Sequence, residues 1–428
     1  MLRTLLAPLA LALAPLAARA QTDVVVVILD DVSWEDLAAV PTPVLDGIGL
    51  LGRRYDAAYA SPTCSPSRYQ LLFGRLPHRE FVGSALVASG TDPADLGAAT
   101  ASVSVAEALG TAGYRTGLFG KWHVNNRLAG NLAELGRVHG FQAWRAGIPG
   151  NLVPPYDHYS WRRHDDGQAT LETTYTTEAI EAAFRGWWTT TPGPRLAYVS
   201  FAAAHEPFQA PPAWMLPPGH VVGADDRARF EASVMGLDHA VGLMASYVDL
   251  TSTLVLVVAD NGTPAEVPPP GGTSPGYKLS TYEGGIRVPL LAVGAGVVPG
   301  SEPSLVQLVD LPGTLLDVAG VTPPTGFEDA RSFAATLSGS APSARPWAFV
   351  QRFAPNGGLA TTLTRDDWAL VWPDGWKVLV QDGGAPEAYD LTVDPGEASD
   401  LAGTALGAAR VARAWALRAT ILGPGWPY

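Results

Sequence analysis

Two short segments of the sequence combine acidic and amide side chains in a way that could bind a divalent cation. Asp30 and Asp31 directly follow a run of β-branched residues at 24–29, and Asp260 and Asn261 directly follow another apolar run. Each pair alone could be a turn or a helix cap. If both runs are parallel strands of one sheet, their carboxyl ends lie at the same edge. The four side chains then supply the hard oxygen ligands that Ca²⁺ or Mg²⁺ prefers.

The single cysteine of the 428 residues, Cys64, is the second feature that could do chemistry. It cannot form an internal disulfide, so it is either an inert core residue or a chemically used one. Residues 62–68 read P-T-C-S-P-S-R, which favours a turn leading into a helix whose first N–H groups can face an anion. Arg68 lies one helical turn later and could neutralise charge at Cys64. With no second cysteine and no paired-histidine motif, a zinc-type site is excluded.

The elements that would position these residues follow an α/β pattern. Apolar runs with the length and composition of strands buried on both faces occur at 24–29, 196–201, 254–259 and 288–293. Apolar residues recur at helical spacing between residues 230 and 248, which predicts a long amphipathic helix.

The composition changes at residues 338–346, and we predict a small antiparallel subdomain after it. Its predicted elements are strands at 347–353, 368–372 and 376–380 and a closing helix at 405–422. We therefore divide the chain into a catalytic domain at 21–340 and a C-terminal subdomain at 345–428.

The first twenty residues have the features of a cleaved signal peptide. Arg3 precedes an apolar run at 5–16, and Ala18, Arg19 and Ala20 fit the small-x-small cleavage pattern. We predict a secreted or periplasmic protein without a stable membrane anchor, because no other uninterrupted apolar run approaches the length that spans a bilayer. The net charge of −13 excludes a nucleic-acid footprint, and it requires that any anion site be a local cluster of cations.

Residues 64–68 match the C-x-P-S-R signature of the type I, formylglycine-dependent sulfatases, so the chain resembles this family of the alkaline-phosphatase-like superfamily. Further motifs of the family follow in the family's order along nearly the whole chain. They are the strand and aspartate pair at 24–31, G-Y-R-T at 113–116 with G-K-W-H at 120–123, A-H-E-P at 204–207, A-D-N-G at 259–262, K-L-S-T-Y-E-G-G-I-R-V-P at 278–289 and Y-D-L-T-V-D-P-G-E at 389–397.

The resemblance implies a large mixed β-sheet flanked by helices, with a small C-terminal antiparallel sheet, and an enzyme that hydrolyses sulfate esters. In this family a formylglycine-generating enzyme converts the cysteine, here Cys64, to Cα-formylglycine before export. The hydrated aldehyde is a gem-diol. One of its hydroxyls attacks sulfur and releases the alcohol, and the other helps to expel sulfate as the aldehyde reforms.

The resemblance also implies a role for each matching residue. Ca²⁺, rather than Mg²⁺, is expected on Asp30, Asp31, Asp260, Asn261 and the modified Cys64.

Three cations, Arg68, Lys121 and Lys278, are expected to flank the nucleophile and the sulfate. His123 is expected to assist proton removal from the diol, and His205 to give a proton to the leaving alcohol, alone or with Lys278. Which histidine is the general acid stays open.

Two alternative functions remain open from the sequence. The same site could hydrolyse phosphonate or phosphate esters, or the chain could be an inactive glycan-binding homologue, although it retains every expected ligand and cation. The substrate is either a sulfated small molecule or a sulfated carbohydrate. Trp122, Trp161, Trp214 and Tyr156 could stack on a sugar or ring, although aromatic residues more often belong to the core.

Overall fold

The computed structural model describes residues 22–88, 90, 97, 101–127, 131–272, 274–357, 362–424 and 426. The predicted signal peptide at 1–20 lies outside them. The strands are β1 (Asp23–Leu29), β2 (Arg53–Tyr55), β3 (Ala58–Tyr59), β4 (Arg115–Lys121), β5 (Ala143–Ile148), β6 (Trp161–Asp165), β7 (Gln168–Glu172), β8 (Arg195–Ser200), β9 (Thr253–Ala259), β10 (Leu290–Gly294), β11 (Gly300–Glu302), β12 (Val306–Gln307), β13 (Ala348–Ala354), β14 (Arg365–Val371), β15 (Trp376–Val380) and β16 (Glu387–Asp390). The helices are α1 (Trp34–Ala39), α2 (Pro43–Leu51), α3 (Cys64–Phe73), α4 (Val105–Thr111), α5 (Thr176–Trp188), α6 (Asp226–Ala245), α7 (Glu283–Ile286), α8 (Asp310–Val318), α9 (Ala334–Leu337) and α10 (Ala405–Leu422).

A large mixed sheet forms the centre of the molecule. Its strand order is β11-β2-β10-β9-β1-β8-β4-β5-β6-β7, and β9, β1, β8, β4 and β5 run parallel to one another. β10 is antiparallel to both of its neighbours, β9 and β2, while β11 pairs in parallel with β2. The four valines at 24–27 of β1 are fully buried, as expected for β-branched residues in a strand with both faces covered.

The predicted α/β class and the predicted central strands are confirmed. The most displaced boundary among these strands is that of the run at 288–293, where the strand begins at Leu290. Pro289 lacks an N–H group and cannot donate to a strand ladder, so regular pairing starts only after it. The predicted helix between 230 and 248 is α6, which ends at Ala245.

Helices flank the sheet in two packed groups. α5 packs on β4, β5 and β8 and also on α6, which in turn packs on α2. In the other group α4 packs on β4 and on α8, and α8 packs on α3. No helix in the described residues combines the length and the apolar character needed to cross a lipid bilayer.

A second, antiparallel sheet forms the C-terminal part, in the order β13-β14-β15-β16. α10 packs on β15 and β16 and covers a separate apolar cluster that includes Trp368 and Leu370. This confirms the predicted small sheet and its closing helix. The division at residues 340–345 stays a prediction; there, buried Arg345 forms an ion pair with Asp310 of α8.

Candidate active site

The polar residues at the ends of the central parallel strands meet at one edge of the sheet. Asp30 and Asp31 follow β1, and Asp260 and Asn261 follow β9, which pairs with β1 along its whole length. Lys121 is the last residue of β4. Because the carboxyl ends of parallel strands lie at the same edge, side chains far apart in sequence come together there.

Cys64 enters this edge from the first turn of α3. Thr63 is the N-cap in an extended conformation, and the helix runs until Gly74, whose φ of 61° ends it. Pro66 fits the first turn because N–H groups there have no partner within the helix. Cys64 is fully buried, and burial is the main cause that raises the pKa of its thiol to about 12. The encoded side chain is therefore a protonated thiol at neutral pH.

Three carboxylates surround the cysteine. The Cys64 Sγ lies 3.7 Å from Asp30 Oδ1, and the Asp31 N–H donates to Asp260 Oδ1 at 3.2 Å. One ligand atom from each of Asp30, Asp31, Cys64 and Asp260 lies within 4.8 Å of the others. This spacing allows all four residues to contact one metal ion.

Asn261 completes the oxygen set. Its Nδ2 donates to Asp31 Oδ1 at 2.6 Å and to the carbonyl of Gly262 at 2.9 Å. Its Oδ1 is buried and has no hydrogen-bond partner among the described residues. A buried amide oxygen without a donor is costly, and a cation at the cluster would satisfy it.

The electrostatics of the carboxylates also fit a cation. Burial, followed by repulsion from Asp30, raises the pKa of Asp260 to about 6, although Arg68 acts to lower it. Burial would raise the pKa of Asp30 as well, but the charges of Lys121 and Arg68 bring it well below its usual range. A divalent ion among these oxygens would relieve the repulsion between them.

Cationic side chains surround the carboxylates. Arg68 Nε donates to Asp260 Oδ2 at 2.9 Å, Nη2 lies 2.8 Å from the same oxygen as an ion pair, and Nη1 donates to Ser200 Oγ at 2.6 Å. Lys121 Nζ forms an ion pair with Asp30. Lys278 Nζ lies 2.8 Å from Asp31 Oδ2. The three cations offset the charge of the three carboxylates, so a divalent cation in the cluster would make the site positive overall in a protein of negative net charge, as an anionic substrate requires.

His123 is held in one tautomer. Its Nε2 lies 2.8 Å from the carbonyl of Leu86, and since a carbonyl only accepts, Nε2 carries the proton. Nδ1 is buried and has no hydrogen-bond partner among the described residues, so it is free to accept a proton. Burial, and then the charge of Lys121, lowers the pKa of His123 well below its ordinary value. The imidazole is therefore neutral in the site as described.

His205 lies on the loop after β8 and turns its Nε2 towards the cluster. Nδ1 donates to the carbonyl of Glu206 at 2.9 Å, and Nε2 lies 3.9 Å from Asp31 Oδ2. The backbone of His205 is also fixed, because buried His158 donates from Nε2 to the His205 carbonyl at 3.0 Å. Burial, and then Lys278 and Lys121, lowers the pKa of His205.

Comparisons with known proteins agree with this site. The sulfatase family model matches residues 22–321. The chain belongs to the sulfatase family. It is 30% identical over 463 residues to human arylsulfatase A, covering 95% of this chain and 88% of that protein. It is 28% identical over 401 residues to the N-acetylgalactosamine-6-sulfatase of Mus musculus, covering 84% of this chain and 74% of that one.

The fold of this sulfatase is likewise that of solved sulfatase-type structures. The structure of Ps i-CgsB in complex with k-i-k-neocarrahexaose superimposes with a TM-score of 0.78 at 22% identity, over 92% of each chain. Family membership and fold together establish that the chain is an enzyme that hydrolyses sulfate esters.

The structure brings together all the site residues predicted from the sequence of this sulfatase. The predicted set is Asp30, Asp31, Cys64, Arg68, Lys121, His123, His205, Asp260, Asn261 and Lys278. Two residues that contact it were missed, Ser200 and His158. Ser200 could have been suspected as a polar residue ending a buried strand. His158 contacts a backbone carbonyl, and such a contact leaves no pattern in the sequence.

The aromatic candidates for sugar stacking divide into two kinds. Trp122 and Trp161 are buried in the core, which excludes them from an open pocket. Trp214 is 52% exposed, and its ring packs edge-on against His239. Tyr156 is half-buried. The interpretation of aromatic residues as core therefore holds for Trp122 and Trp161.

Proposed function

We propose that this sulfatase uses a formylglycine made from Cys64 as its nucleophile and Ca²⁺ as its metal. The observation that carries the proposal is the position of Cys64, which lies fully buried at the start of α3 with three carboxylates within ligand distance of one another. When Cys64 is converted and hydrated, the residue supplies an oxygen nucleophile that takes the sulfuryl group and releases it as the aldehyde reforms.

The residues proposed to hold the metal are Asp30, Asp31, Asp260 and Asn261, with the modified Cys64. Their donors are hard oxygens, and the unpartnered Oδ1 of Asn261 supports the assignment. When bound, Ca²⁺ would lower the pKa of the diol and offset charge on the sulfuryl oxygens.

The three cations have the geometry to bind and orient a sulfate ester. Arg68 and Lys121 each contact Asp30, which lies next to Cys64, while Lys278 approaches from the other side through Asp31. All three are held by carboxylates before substrate arrives. They can therefore stabilise negative charge on the sulfuryl oxygens without reorganising.

Two proton-transfer roles follow from the tautomers. His123 Nδ1 has a free lone pair in the buried site, so we assign it to proton removal from the diol. His205 carries its proton on Nδ1 and leaves Nε2 free beside the Lys278 ammonium at Asp31, so we assign proton delivery to the leaving alcohol to this pair, with Lys278 as the proton donor and His205 Nε2 as the group that can relay the proton. Lys278 keeps its proton because its ion pair with Asp31 outweighs burial and raises its pKa.

For the natural substrate we propose a sulfated carbohydrate. The names of the N-acetylgalactosamine-6-sulfatase relatives and the oligosaccharide bound in Ps i-CgsB support this class, and the name arylsulfatase A supports aryl sulfates as assay substrates. We also propose that residues 1–20 direct export. A formylglycine-generating enzyme is proposed to act on the chain before export takes place.

The central test is intact mass and peptide mapping of the chain co-expressed with a formylglycine-generating enzyme. We expect Cys64 to be converted and 4-nitrophenyl sulfate to be hydrolysed in the presence of Ca²⁺. Unmodified Cys64 in active protein would overturn the proposed nucleophile.

Two further measurements separate the alternatives. A higher kcat/KM for the matching phosphonate ester than for the aryl sulfate would overturn sulfate esters as the substrate class and assign phosphonate esters instead. If converted, Ca²⁺-loaded protein turned over no ester in a panel of aryl sulfates and sulfated sugars, a glycan-binding role would be favoured instead.

A further inference from the structure

The backbone around Lys278 is tied to both of the loops that build the active site. The Lys278 N–H donates at 2.8 Å to the carbonyl of Thr263, two residues after the proposed metal ligand Asn261. The next N–H, of Leu279, donates at 2.8 Å to the carbonyl of Pro62, two residues before Cys64. The position of the Lys278 ammonium therefore depends on how firmly this short segment is held.

Leu279 has an unfavourable backbone conformation. Its φ is 77°, in the left-handed region that a bulky residue rarely adopts, and its side chain is 45% exposed, so packing contributes little to holding it. Such a conformation costs about 1–3 kcal/mol and persists only where surrounding contacts fix it. Asp31 and His123 also have left-handed backbone conformations, with φ values of 64° and 58°.

The contact that fixes Leu279 from the other side comes from the C-terminal sheet. Arg352, in β13, donates from Nη1 to the Leu279 carbonyl at 2.7 Å. The nearest carboxylate to Arg352 Nη1, that of Asp367, is 4.0 Å away and lies 2.7 Å from Arg365. The short contact of Arg352 is thus the one to the loop, and not an ion pair within its own sheet.

Two more residues of the C-terminal sheet region hold the same loop. The Gln381 Oε1, directly after β15, accepts from the N–H and the hydroxyl of Thr281 at 2.9 and 3.0 Å. Lys377 in β15 pairs with Glu283 at 2.9 Å. Arg352 is the one of these three whose contact is next to Lys278 in sequence.

We propose that Arg352 is a positioning residue of this sulfatase: through the Leu279 carbonyl it holds the Lys278 ammonium against Asp31 and facing the sulfuryl site. The proposal rests on the proposed role of Lys278. It makes the C-terminal sheet part of the catalytic apparatus, although none of the motifs that identify the family includes Arg352. Loss of the contact would allow Leu279 to relax towards a common conformation and would displace Lys278.

The test is a double-mutant cycle on formylglycine-converted, full-length protein with 4-nitrophenyl sulfate and Ca²⁺. The variants are Arg352→Ala, Lys278→Ala and the double variant, with conversion of each checked by mass. Since a displacement of about 1 Å at a catalytic group can cost about 100-fold, we expect Arg352→Ala to lower kcat/KM about 10- to 100-fold, chiefly in kcat. In the Lys278→Ala background the same change should cost less than about threefold.

Two controls distinguish positioning from folding or direct substrate contact. Arg352→Lys should recover most of the activity, because an ammonium can also donate to the Leu279 carbonyl. Arg410→Ala should leave activity unchanged, since Arg410 pairs with Asp374 at the surface of the same subdomain. Additive losses in the cycle, or an effect confined to KM for sulfated oligosaccharides and absent with the aryl sulfate, would overturn the proposal.

Hydrogen exchange provides a readout that does not depend on activity. We expect the amides of Leu279 and Ser280 to exchange faster in Arg352→Ala than in wild type or Arg410→Ala. Unchanged exchange would show that Arg352 does not fix the loop. Full activity of Lys278→Ala would instead overturn the proposed role of Lys278, and with it the catalytic consequence of the Arg352 contact.

Discussion

Two clusters of charged side chains, both mostly buried, lie near residues 278–283, and they are built differently. In the cluster between the sheets, which we call the junction cluster, Lys377 lies 2.9 Å from Glu283 and 2.7 Å from Glu397. The Glu283 N–H donates to Glu397 at 2.7 Å, and Tyr59 and Arg287 approach the remaining Glu283 oxygen at 3.2 and 3.3 Å. Three of the four carboxylate oxygens of the junction cluster therefore accept a hydrogen bond from the protein, and the fourth, Glu397 Oε1, is paired with the Lys377 ammonium.

The active-site cluster retains polar atoms that no described residue satisfies. The Oδ1 of Asn261 and the Nδ1 of His123 are buried and lack hydrogen-bond partners there. Left-handed backbone conformations occur in both clusters, at Asp31, His123 and Glu397. The contrast shows how a binding site differs from a structural ion network: the charges of the network are paired within the protein, while the site retains buried polar atoms that its ligands would satisfy.

The largest expected effect is a loss of activity on changing a residue of the active-site cluster. Cys64→Ala should lower kcat/KM for an aryl sulfate by at least about 10⁴-fold, because it removes the nucleophile. Its unfolding temperature should stay close to that of wild type, since a small buried side chain is replaced by a smaller one. Substantial residual activity, with no wild-type contamination by mass, would contradict the assignment of Cys64.

The junction cluster should show the opposite behaviour. Lys377→Met leaves Glu283 and Glu397 buried without their shared cation, and we expect a loss of about 3–5 kcal/mol in the free energy of unfolding, measured by urea titration. Arg410→Met removes an ion pair with exposed Asp374 and should cost less than about 1 kcal/mol. Equal losses in the two variants would erase the distinction between a buried network and a surface pair.

Metal removal should affect only the active-site cluster. After treatment with a chelator, adding Ca²⁺ at 100 times its Kd should stabilise the wild type by about 2.7 kcal/mol. Asp260→Asn should lose most of this response because it removes a proposed ligand, while Glu283→Gln should keep it despite a lower baseline. Calorimetric scans with and without Ca²⁺ measure both. A full response in Asp260→Asn would argue against Asp260 as a ligand.

Buried histidines outside both clusters should add to the acid sensitivity of the protein. Burial is the main cause that lowers the pKa of His78, His139 and His164 to about 4. The unfolded chain binds these protons near pH 6.5 and the folded chain only near pH 4, so stability falls as the pH drops through this window. Each histidine should cost about 2 kcal/mol between pH 7 and pH 5.

The measurement is the urea midpoint at both pH values. His139→Gln should flatten the dependence by one histidine's share, and Arg410→Met should not. An unchanged pH dependence of the urea midpoint in His139→Gln would show that His139 does not contribute to the acid sensitivity.

The smallest effect concerns the contact of Arg68 with Ser200. Ser200→Ala removes the acceptor at 2.6 Å from Arg68 Nη1 but leaves its contacts with Asp260 and the carbonyl of Lys121. We expect a loss of about tenfold in kcat/KM, equivalent to one hydrogen bond to a charged group. Ser233→Ala, which removes a buried hydroxyl of α6, is the matched control. Identical kinetics in wild type and Ser200→Ala would show that Arg68 is fixed without Ser200.

The sequence predicted the active-site cluster better than the junction cluster, and for a physical reason. Asp30, Asp31, Asp260 and Asn261 follow strands whose apolar runs are visible in the sequence, and parallel strands bring their ends together. Cys64 and Arg68 are local to one helix start. Lys278 lies in an irregular loop, so only its register with the family motif pointed to the site.

The junction cluster could not be assembled from sequence in the same way. Glu283 lies within the family motif at 278–289, but its partner Lys377 is a single charged residue in a strand, a pattern typical of an exposed side chain. The structure buries it completely. The contact of Arg352 with Leu279 was equally hidden, since it joins a side chain to a carbonyl 73 residues away. Such contacts depend on how the two sheets pack, which periodicity does not describe.

The sequence separation within the active-site cluster also constrains the order of folding. Asp31 meets Asp260 and Asn261 across 229 and 230 residues, and β1 needs β9 as its neighbour in the sheet. A growing chain that has not passed residue 261 lacks two of the proposed oxygen ligands and that strand. Contacts of such range form late because a long loop must close first. Ion binding can therefore lock the finished sheet but cannot template its early stages, which makes bound metal a measure of complete folding.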